Sequence, residues 1–273
     1  MFLRRFATSA IVLTALAGWA EAAVPHNWQL GLQPAVTPVM AEIEDFHRLL
    51  LYVITAICLF VAALLVWVML RYNSRANPVP SKVHHNTILE VVWTGVPVII
   101  LVLIAIPSFK LLFFEADIPT PDLTVQVIGR QWYWTYAFPK DGNFQFDSNM
   151  LTDAAAKKAG EPRLLGVDNP LVVPVNKVVE VVTTASDVIH SWAVPAFGVK
   201  MDAIPGHLNH TWFKATRLGT YYGQCSELCG ANHAFMPIEV KVVSQAEYDA
   251  WIARSKKKFA VNDDSAATRV AAK

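Results

Sequence analysis

The sequence predicts an all-β domain that is anchored in a membrane by a hairpin of two transmembrane helices. Three observations predict this fold class. Hydrophobic residues make up 54% of the 273 residues and charged residues only 16%, a balance unusual for a soluble protein. Two long runs in the first half carry no charge. The second half consists of short β-rich runs separated by Pro, Gly and Asn breaks.

Residues 1–22 have the pattern of a secretory signal peptide. Arg4 and Arg5 give a basic start, Ala10–Ala17 forms an apolar middle, and Ala20-Glu21-Ala22 is a small-x-small cleavage site. The apolar run is too short to span a bilayer, which argues against the alternative of a further membrane helix. We therefore expect the rest of the chain to be delivered outside the cytoplasm.

Residues 23–118 are predicted to hold an irregular, proline-containing lead-in and the transmembrane hairpin. The run Leu49–Leu70 is uncharged and, at 1.5 Å per residue, corresponds to about 33 Å of helix. Val91–Phe109 is also uncharged, and its two prolines are tolerated in membrane helices. We expect helices at about 47–71 and 90–114; a buried core helix is the alternative for each run.

The charges around the two runs predict the orientation of the hairpin. The connector, residues 71–89, contains Arg71, Arg75 and Lys82 and no acidic residue. The outer flanks are acidic instead, with Glu42, Glu44, Asp45, Glu115 and Asp117. The positive-inside rule places such a connector in the cytoplasm and both termini outside, in agreement with the signal peptide.

Residues 119–258 are predicted to form an extracytoplasmic β-sandwich or barrel. Residues 139–170 look less regular, with a short helix at Asp153–Ala159. A capping box at Ser244–Glu247 predicts a final helix that ends near Lys258, and the small, polar residues 259–273 predict a disordered tail. The strands are expected at Leu123–Ile128, Gln131–Phe138, Leu171–Val175, Val178–Thr184, Val188–Val194, His210–Ala215, Gly219–Gln224 and Pro237–Val243.

One loop carries a soft set of metal donors. Cys225, Cys229, His233 and Met236 lie within twelve positions, and two thiolates, an imidazole and a thioether favour copper over harder ions. Zinc would require more Cys or His ligands. A disulfide between the two cysteines is the remaining alternative, since this side of the membrane is oxidising.

A further ligand is expected on a strand, because a short loop alone orients a metal poorly. His190 ends an apolar strand 35 residues before Cys225, although a histidine there is more often a satisfied core residue. A strand histidine combined with a Cys–His–Met loop is typical of copper electron-transfer sites on Greek-key barrels. The second cysteine would allow two bridging thiolates to hold two copper ions.

Six blocks of sequence follow one another in an order that is specific to one family. They are Leu89–Thr94, Gly129–Trp134, Asp187–Pro195, Asp202–Gly206, Tyr222–Gly230 and His233–Pro237. In this order they resemble subunit II of the haem–copper cytochrome c oxidases of the bacterial, mitochondrial-like kind, over essentially the whole mature chain. The resemblance implies a cupredoxin-like Greek-key barrel on the periplasmic side of a bacterial inner membrane.

The resemblance also implies a dinuclear copper centre, CuA, and a role for each ligand. The implied ligands are the side chains of His190, Cys225, Cys229, His233 and Met236 and the backbone carbonyl of Glu227. The Glu227 carboxylate matches a ligand of a Mg²⁺ or Mn²⁺ ion shared with subunit I, and a hard oxygen ligand suits such an ion. A plain loop acid is the alternative for this carboxylate.

Other residues are assigned by the same match. Trp132 matches the electron-entry residue beneath docked cytochrome c; an ordinary core or membrane-interface aromatic is the alternative. Glu90 matches the entrance of a proton path, whereas stabilisation by the helix dipole would also explain an acid there. Asp168 and Asp187 match docking acids, although the 15 acidic and 16 basic residues from 121 onward leave no strong net field.

The implied partners are subunit I, subunit III, cytochrome c as the electron donor and the lipid membrane; a formal charge of +1 gives no reason to expect nucleic acid. The implied function is electron entry into an oxidase that reduces oxygen and pumps protons elsewhere. A quinol oxidase subunit would lack the copper ligands, nitrous oxide reductase would lack the hairpin, and a copper-carrying protein would need neither Trp132 nor Glu90. His207 and Lys256–Lys258 have no assigned role.

Overall fold

The computed structural model describes residues 23–259, and these form two units. One unit, the β-domain, comprises residues 23–40 and 118–259, and the other, the hairpin, comprises residues 41–117. The predicted signal peptide, residues 1–22, and residues 260–273 of the predicted tail lie outside the described residues.

Two long apolar helices follow the lead-in, as predicted. Helix α1 spans Pro38–Arg71 and helix α2 spans Thr87–Ala116, and both are long and apolar enough to cross a membrane. Their large apolar side chains are mostly exposed, which suits contact with lipid. The helix α1 starts at Pro38 rather than near residue 47, because its first turns carry polar and acidic residues that a search for apolar runs does not detect.

The β-domain contains ten strands in two five-stranded sheets with the strand orders β3-β2-β1-β5-β8 and β4-β10-β9-β6-β7. One continuous hydrophobic core includes residues from both sheets, so the domain is a β-sandwich, as predicted. The strands are β1 Leu123–Arg130, β2 Tyr133–Phe138, β3 Phe144–Ser148, β4 Leu171–Pro174, β5 Val179–Ala185, β6 His190–Val194, β7 Val199–Ala203, β8 Asn209–Phe213, β9 Gly219–Cys225 and β10 Pro237–Val243.

Strands β3 and β7 are absent from the sequence-based expectation. Strand β3 lies in the region expected to be less regular, and it is short, with Phe144 and Phe146 buried and polar residues between them. Strand β7 is an edge strand with polar residues at Lys200 and Asp202. Short edge strands give weak periodic signals, since only one side is paired and little of the surface is buried.

Two helices of the β-domain confirm their predicted positions. Helix α3 spans Asp153–Ala159, and the Thr152 side chain caps it by accepting a hydrogen bond from the Ala155 amide. Helix α4 spans Gln245–Lys258 and starts at the predicted capping box. Helix α4 packs on the core through Tyr248 and Trp251.

The close pairing of β6 with β9 brings a strand histidine next to a loop cysteine. Trp192 on β6 is opposite Cys225 at the end of β9. At Gly223, a Cβ atom would lie 1.9 Å from the carbonyl oxygen of Ala193, a distance no side chain tolerates. Glycine is therefore required at this position for β9 to approach β6 closely.

Candidate metal centre

Five sulfur- and nitrogen-bearing side chains converge where β6, β9 and β10 meet. His190 begins β6, Cys225 ends β9, and Cys229, His233 and Met236 lie on the loop between β9 and β10. The ligand atoms of His190, Cys225 and Cys229 all lie within 4.8 Å of one another. His190, Cys225, Cys229 and Met236 are buried. The structure thus brings together all the side chains that the sequence predicted as ligands.

The donor atoms form a continuous chain around the two thiols. The Cys225 Sγ lies 3.9 Å from the His190 Nδ1 and 3.8 Å from the Cys229 Sγ. The Cys229 Sγ lies 3.6 Å from the His233 Nδ1 and 3.5 Å from the Met236 Sδ. Each thiol therefore has one imidazole nitrogen beside it, and the two thiols lie between the two histidines.

These separations fit metal binding and not a disulfide. A disulfide requires an S–S bond of about 2.05 Å, and both thiols are free. Two donors that share an ion at bonds of about 2.0–2.3 Å lie no more than about 4.6 Å apart, which the four distances satisfy. The Cys225 Sγ also lies 3.3 Å from the Glu227 carbonyl oxygen, so this backbone oxygen faces the same group of side chains.

The carboxylate of Asp187 holds His190 in place. Its Oδ1 lies 2.8 Å from the His190 Nε2, and its two oxygens accept hydrogen bonds of 2.7 Å from the backbone amides of Gln131 and Val188. When His190 Nε2 carries the proton, its Nδ1 presents a lone pair toward the sulfur of Cys225. Asp187 therefore supports a ligand, and its side chain is only 29% exposed.

The turn between β1 and β2 holds the donor loop through two hydrogen bonds to Cys229. The Gln131 side chain donates to the Cys229 carbonyl at 2.9 Å, and the Trp132 indole nitrogen donates to the same oxygen at 3.2 Å. A Cβ atom on Gly230 would lie 3.1 Å from the Trp132 ring, and Gly230 has φ +120°, so glycine is required there. Trp132 is partly exposed and lies directly against a ligand residue.

The strands on either side of this turn make room for His190 and hold the other end of the loop. A Cβ atom on Gly129 of β1 would lie 2.7 Å from the His190 ring, so only glycine leaves space for the imidazole. The buried Trp134 of β2 donates from its indole to the Met236 carbonyl at 3.3 Å and packs edge-on against His190. The β1–β2 hairpin thereby contacts three of the five candidate ligand residues.

The two thiols differ in acidity. Burial opposes ionisation of Cys225, but hydrogen bonds from His190 and from backbone groups bring its pKa down to about 6. Burial, together with the neighbouring Cys225 thiolate, raises the pKa of Cys229 to about 12. Since thiolates bind metals, Cys225 is the more readily ionised of the two candidate ligands.

The remaining predicted residues lie elsewhere. The Glu227 carboxylate belongs to an exposed residue, and its metal-binding role stays a prediction. Asp168 accepts two hydrogen bonds from Asn149 and contacts no ligand residue in the described structure. Docking of a partner by Asp168 and Asp187 also stays a prediction. Glu90 belongs to the hairpin, in the first turn of α2.

Sequence reasoning missed the residues that support the ligands. Gln131 and Gly129 were included only within a matching block, and Asp187 was interpreted as a docking acid. The sequence held one usable signal, because a carboxylate three residues before a strand histidine is a common partner of a ligating imidazole. The hydrogen bonds to the Cys229 carbonyl join residues almost 100 positions apart, so no local sequence pattern predicts them.

The fold and the donor set define a class: a membrane-anchored β-sandwich protein with a centre for soft metal ions. Comparisons with known proteins agree. Residues 123–243 match the family model "Cytochrome C oxidase subunit II, periplasmic domain", and residues 25–111 match the model of the transmembrane domain of the same subunit. The chain belongs to the cytochrome c oxidase subunit II family, a family of membrane-bound subunits whose periplasmic domain implies a copper centre.

Individual relatives support this membership. The chain is 49% identical to the probable cytochrome c oxidase subunit 2 of Rickettsia bellii over 97% of this chain and 98% of that protein. It is 45% identical to cytochrome c oxidase subunit 2 of Cereibacter sphaeroides, over 85% and 82% of the two chains. The crystal structure of the periplasmic domain of subunit II of cytochrome oxidase of Bradyrhizobium japonicum is 58% identical, covers 53% of this chain and 100% of its own, and has a TM-score of 0.50.

Replacing Asp187 should weaken metal binding without unfolding the β-domain. In Asp187→Ala the His190 Nε2 loses its acceptor, so we expect copper affinity to fall roughly 10–100-fold, the usual cost of losing a partner of a ligating histidine. Competition titration against a copper chelator measures the affinity. Asp168→Ala is the control, because it removes two hydrogen bonds of another carboxylate but touches no candidate ligand residue. Equal losses in the two variants would contradict this role of Asp187.

Proposed function

We propose that this chain is the electron-entry subunit of a cytochrome c oxidase. It accepts electrons from cytochrome c at a dinuclear CuA centre and delivers them to haem centres in subunit I, where oxygen reduction is coupled to proton pumping. One observation carries the proposal. The partly exposed Trp132 donates a hydrogen bond to the carbonyl of Cys229, and the thiol of Cys229 lies between the other donor atoms.

The residues present fit a dinuclear centre. The thiols of Cys225 and Cys229 would bridge the two ions, and the imidazoles of His190 and His233 would bind one on each side. The Met236 sulfur and the Glu227 carbonyl would complete the set. When bound, two copper ions joined by two thiolates supply a site that shares one electron and changes little in geometry on reduction.

The protein side chains keep this site rigid and dry. Met236 is 1% exposed and His190 is fully buried, so water has little access to the ligands. Asp187, Gln131 and Trp134 hold three ligand segments by hydrogen bonds from fixed directions. A rigid, water-poor shell keeps small the rearrangement that accompanies each electron transfer.

Trp132 would be the contact through which electrons enter. Its ring is partly exposed and its indole nitrogen is one hydrogen bond away from a ligand residue. Beside it lie Tyr133, Asn232 and Phe235, which line an open surface depression with few charges. Such a surface suits a transient partner that docks over the aromatic ring.

The hairpin would anchor the β-domain on the periplasmic side of the inner membrane and contribute to proton uptake. The basic connector favours a cytoplasmic position for residues 71–89. Glu90 lies in the first turn of α2, and the His85 Nδ1 lies 2.8 Å from its carboxylate. A carboxylate beside a titratable imidazole is a suitable entrance for protons.

A copper-carrying protein is the competing function, because it would use the same soft ligands. The structure favours electron transfer, since a carrier must release its metal and gains nothing from a rigid shell of hydrogen bonds around buried ligands. The hydrogen bonds that Gln131 and Trp132 donate to the Cys229 carbonyl would serve no purpose in metal release.

Copper loading separates these functions. The full-length chain, purified in detergent and loaded with copper, is expected to bind two ions per chain and to give the EPR spectrum of one unpaired electron delocalised over both. Cys229→Ser should abolish the delocalised spectrum, because one bridge is lost. A ratio of one copper per chain in the wild-type protein would overturn the assignment.

Trp132→Phe should slow electron entry and leave copper content unchanged. The substitution keeps an aromatic ring but removes the indole N–H that donates to Cys229. We expect reduction of the assembled oxidase by cytochrome c to slow by at least about ten-fold, as measured by flash photolysis. Trp28→Phe is the control, because Trp28 is 96% exposed and lies outside the site. A normal rate in Trp132→Phe would place the entry point elsewhere.

Glu90→Gln should impair proton uptake without changing reduction of the copper centre. The amide cannot carry a proton into the membrane, so we expect steady-state turnover to fall while the first electron from cytochrome c enters at the normal rate. Glu115→Gln, at the other end of α2, is the matched control. Unaffected turnover in Glu90→Gln would leave stabilisation by the helix dipole as the reason for this acid.

A further inference from the structure

A cavity of about 530 Å³ lies between α4 and the neighbouring strands of the β-domain, away from the metal centre. Aromatic and aliphatic side chains form its walls, with Phe146, Trp251 and Phe259 presenting rings and Val172 and Val243 closing the floor. None of the metal donors lines this cavity. Its volume and its apolar walls are those of sites that bind small organic molecules.

The rings that line the cavity are held in place by one another. The centroid of the Trp251 ring lies 6.0 Å from that of Phe146 in an edge-on arrangement, and Phe146 and Phe259 are stacked at 5.1 Å. Aromatic pairs in these geometries attract each other beyond their buried area. These contacts fix the aromatic walls relative to one another, with Phe146 buried behind the partly exposed Trp251 and Phe259.

Among the charged side chains at the rim of the cavity, one cation has no partner within the described residues. The acids Asp168 and Glu247 already accept hydrogen bonds, from Asn149 and from Ser244 respectively. Arg254, an exposed residue of the rim, forms no hydrogen bond or ion pair with any of residues 23–259, so none of its N–H donors is used within this part of the chain. A guanidinium group binds a carboxylate through two parallel hydrogen bonds.

Lys258 spans the mouth of the cavity. Its Nζ donates to the Asn169 side chain at 3.0 Å and lies 4.6 Å from the centre of the Phe259 ring. The lysine therefore links the end of α4 to the segment that leads into β4. This contact gives the last residue of the Lys256–Lys258 cluster a structural role at the cavity.

We propose that this cavity is a binding site for a planar organic anion, an aromatic ring system that bears one carboxylate. The partly buried rings of Trp251 and Phe259 contact the flat body, and Arg254 binds the carboxylate at the rim. The site does not depend on electron transfer or on the metal, because it shares no residue with the metal centre.

Binding of 2-naphthoate tests the proposal. The assembled, full-length protein in lipid nanodiscs is titrated with this probe, and saturation-transfer NMR gives the dissociation constant. Wild-type protein should show one saturable site. Arg254→Gln should weaken binding at least about ten-fold, since the charge-assisted pair is lost. The neutral analogue 2-naphthalenemethanol should bind wild-type protein no more tightly than the acid binds Arg254→Gln.

Two controls keep the result interpretable. Arg163→Gln removes an exposed arginine that pairs with Asp153 outside the cavity, and its affinity for 2-naphthoate should equal that of the wild type. Empty nanodiscs measure partition of the probe into lipid. Equal affinity in wild type and Arg254→Gln, or the absence of saturable binding up to about 5 mM, would overturn the proposal. Arg254 is exposed and has no hydrogen bond or ion pair within residues 23–259, so its substitution is not expected to disturb folding of the β-domain.

Discussion

The carboxylate of Asp187 is the contact on which the metal centre depends most. It joins the β1–β2 turn to the start of β6 by accepting from the Gln131 amide and lying within hydrogen-bond distance of His190. An imidazole without such a partner would rotate or change tautomer in its buried site, and its Nδ1 would no longer face Cys225. One side chain therefore connects the turn that carries Trp132 with the strand that begins at His190.

Glycines at three positions allow this contact to form. Gly129 leaves space for the His190 ring, Gly223 lets β9 approach β6, and Gly230 brings the loop against Trp132. In each case a Cβ atom would meet a neighbour at 3.1 Å or less. The centre is therefore assembled by close approach of backbone segments, and it cannot be separated from the packing of the sandwich.

The hairpin and the donor loop could be predicted from sequence because both are local patterns. Uncharged runs of 22 and 19 residues have few structural solutions. Cys225, Cys229, His233 and Met236 indicate their chemistry within one loop. The role of Asp187 was harder to assign. Two of its partners, Val188 and His190, are local, but Gln131 lies 56 positions earlier, and an acid in this sequence context fits a surface residue equally well. The cavity beside α4 could not be predicted from local patterns either. It depends on contacts of Trp251 and Phe259 with Phe146, which lies on a strand more than a hundred residues earlier in the sequence.

Side-chain contacts around Tyr222 and Glu239 fix the register of strands β9 and β10, which flank the donor loop. Tyr222 and Glu239 face each other across the ladder, and Lys241 lies 3.1 Å from the buried Glu239 and 3.3 Å from Glu161. Glu161 in turn accepts from the Tyr222 hydroxyl at 2.5 Å, and Glu239 accepts from the Val167 amide. Burial raises the pKa of Glu239, so its ionised form needs these partners. A shift in register would break all of these contacts. Strand β9, which ends at Cys225, and strand β10, which follows Met236, are therefore held in one alignment.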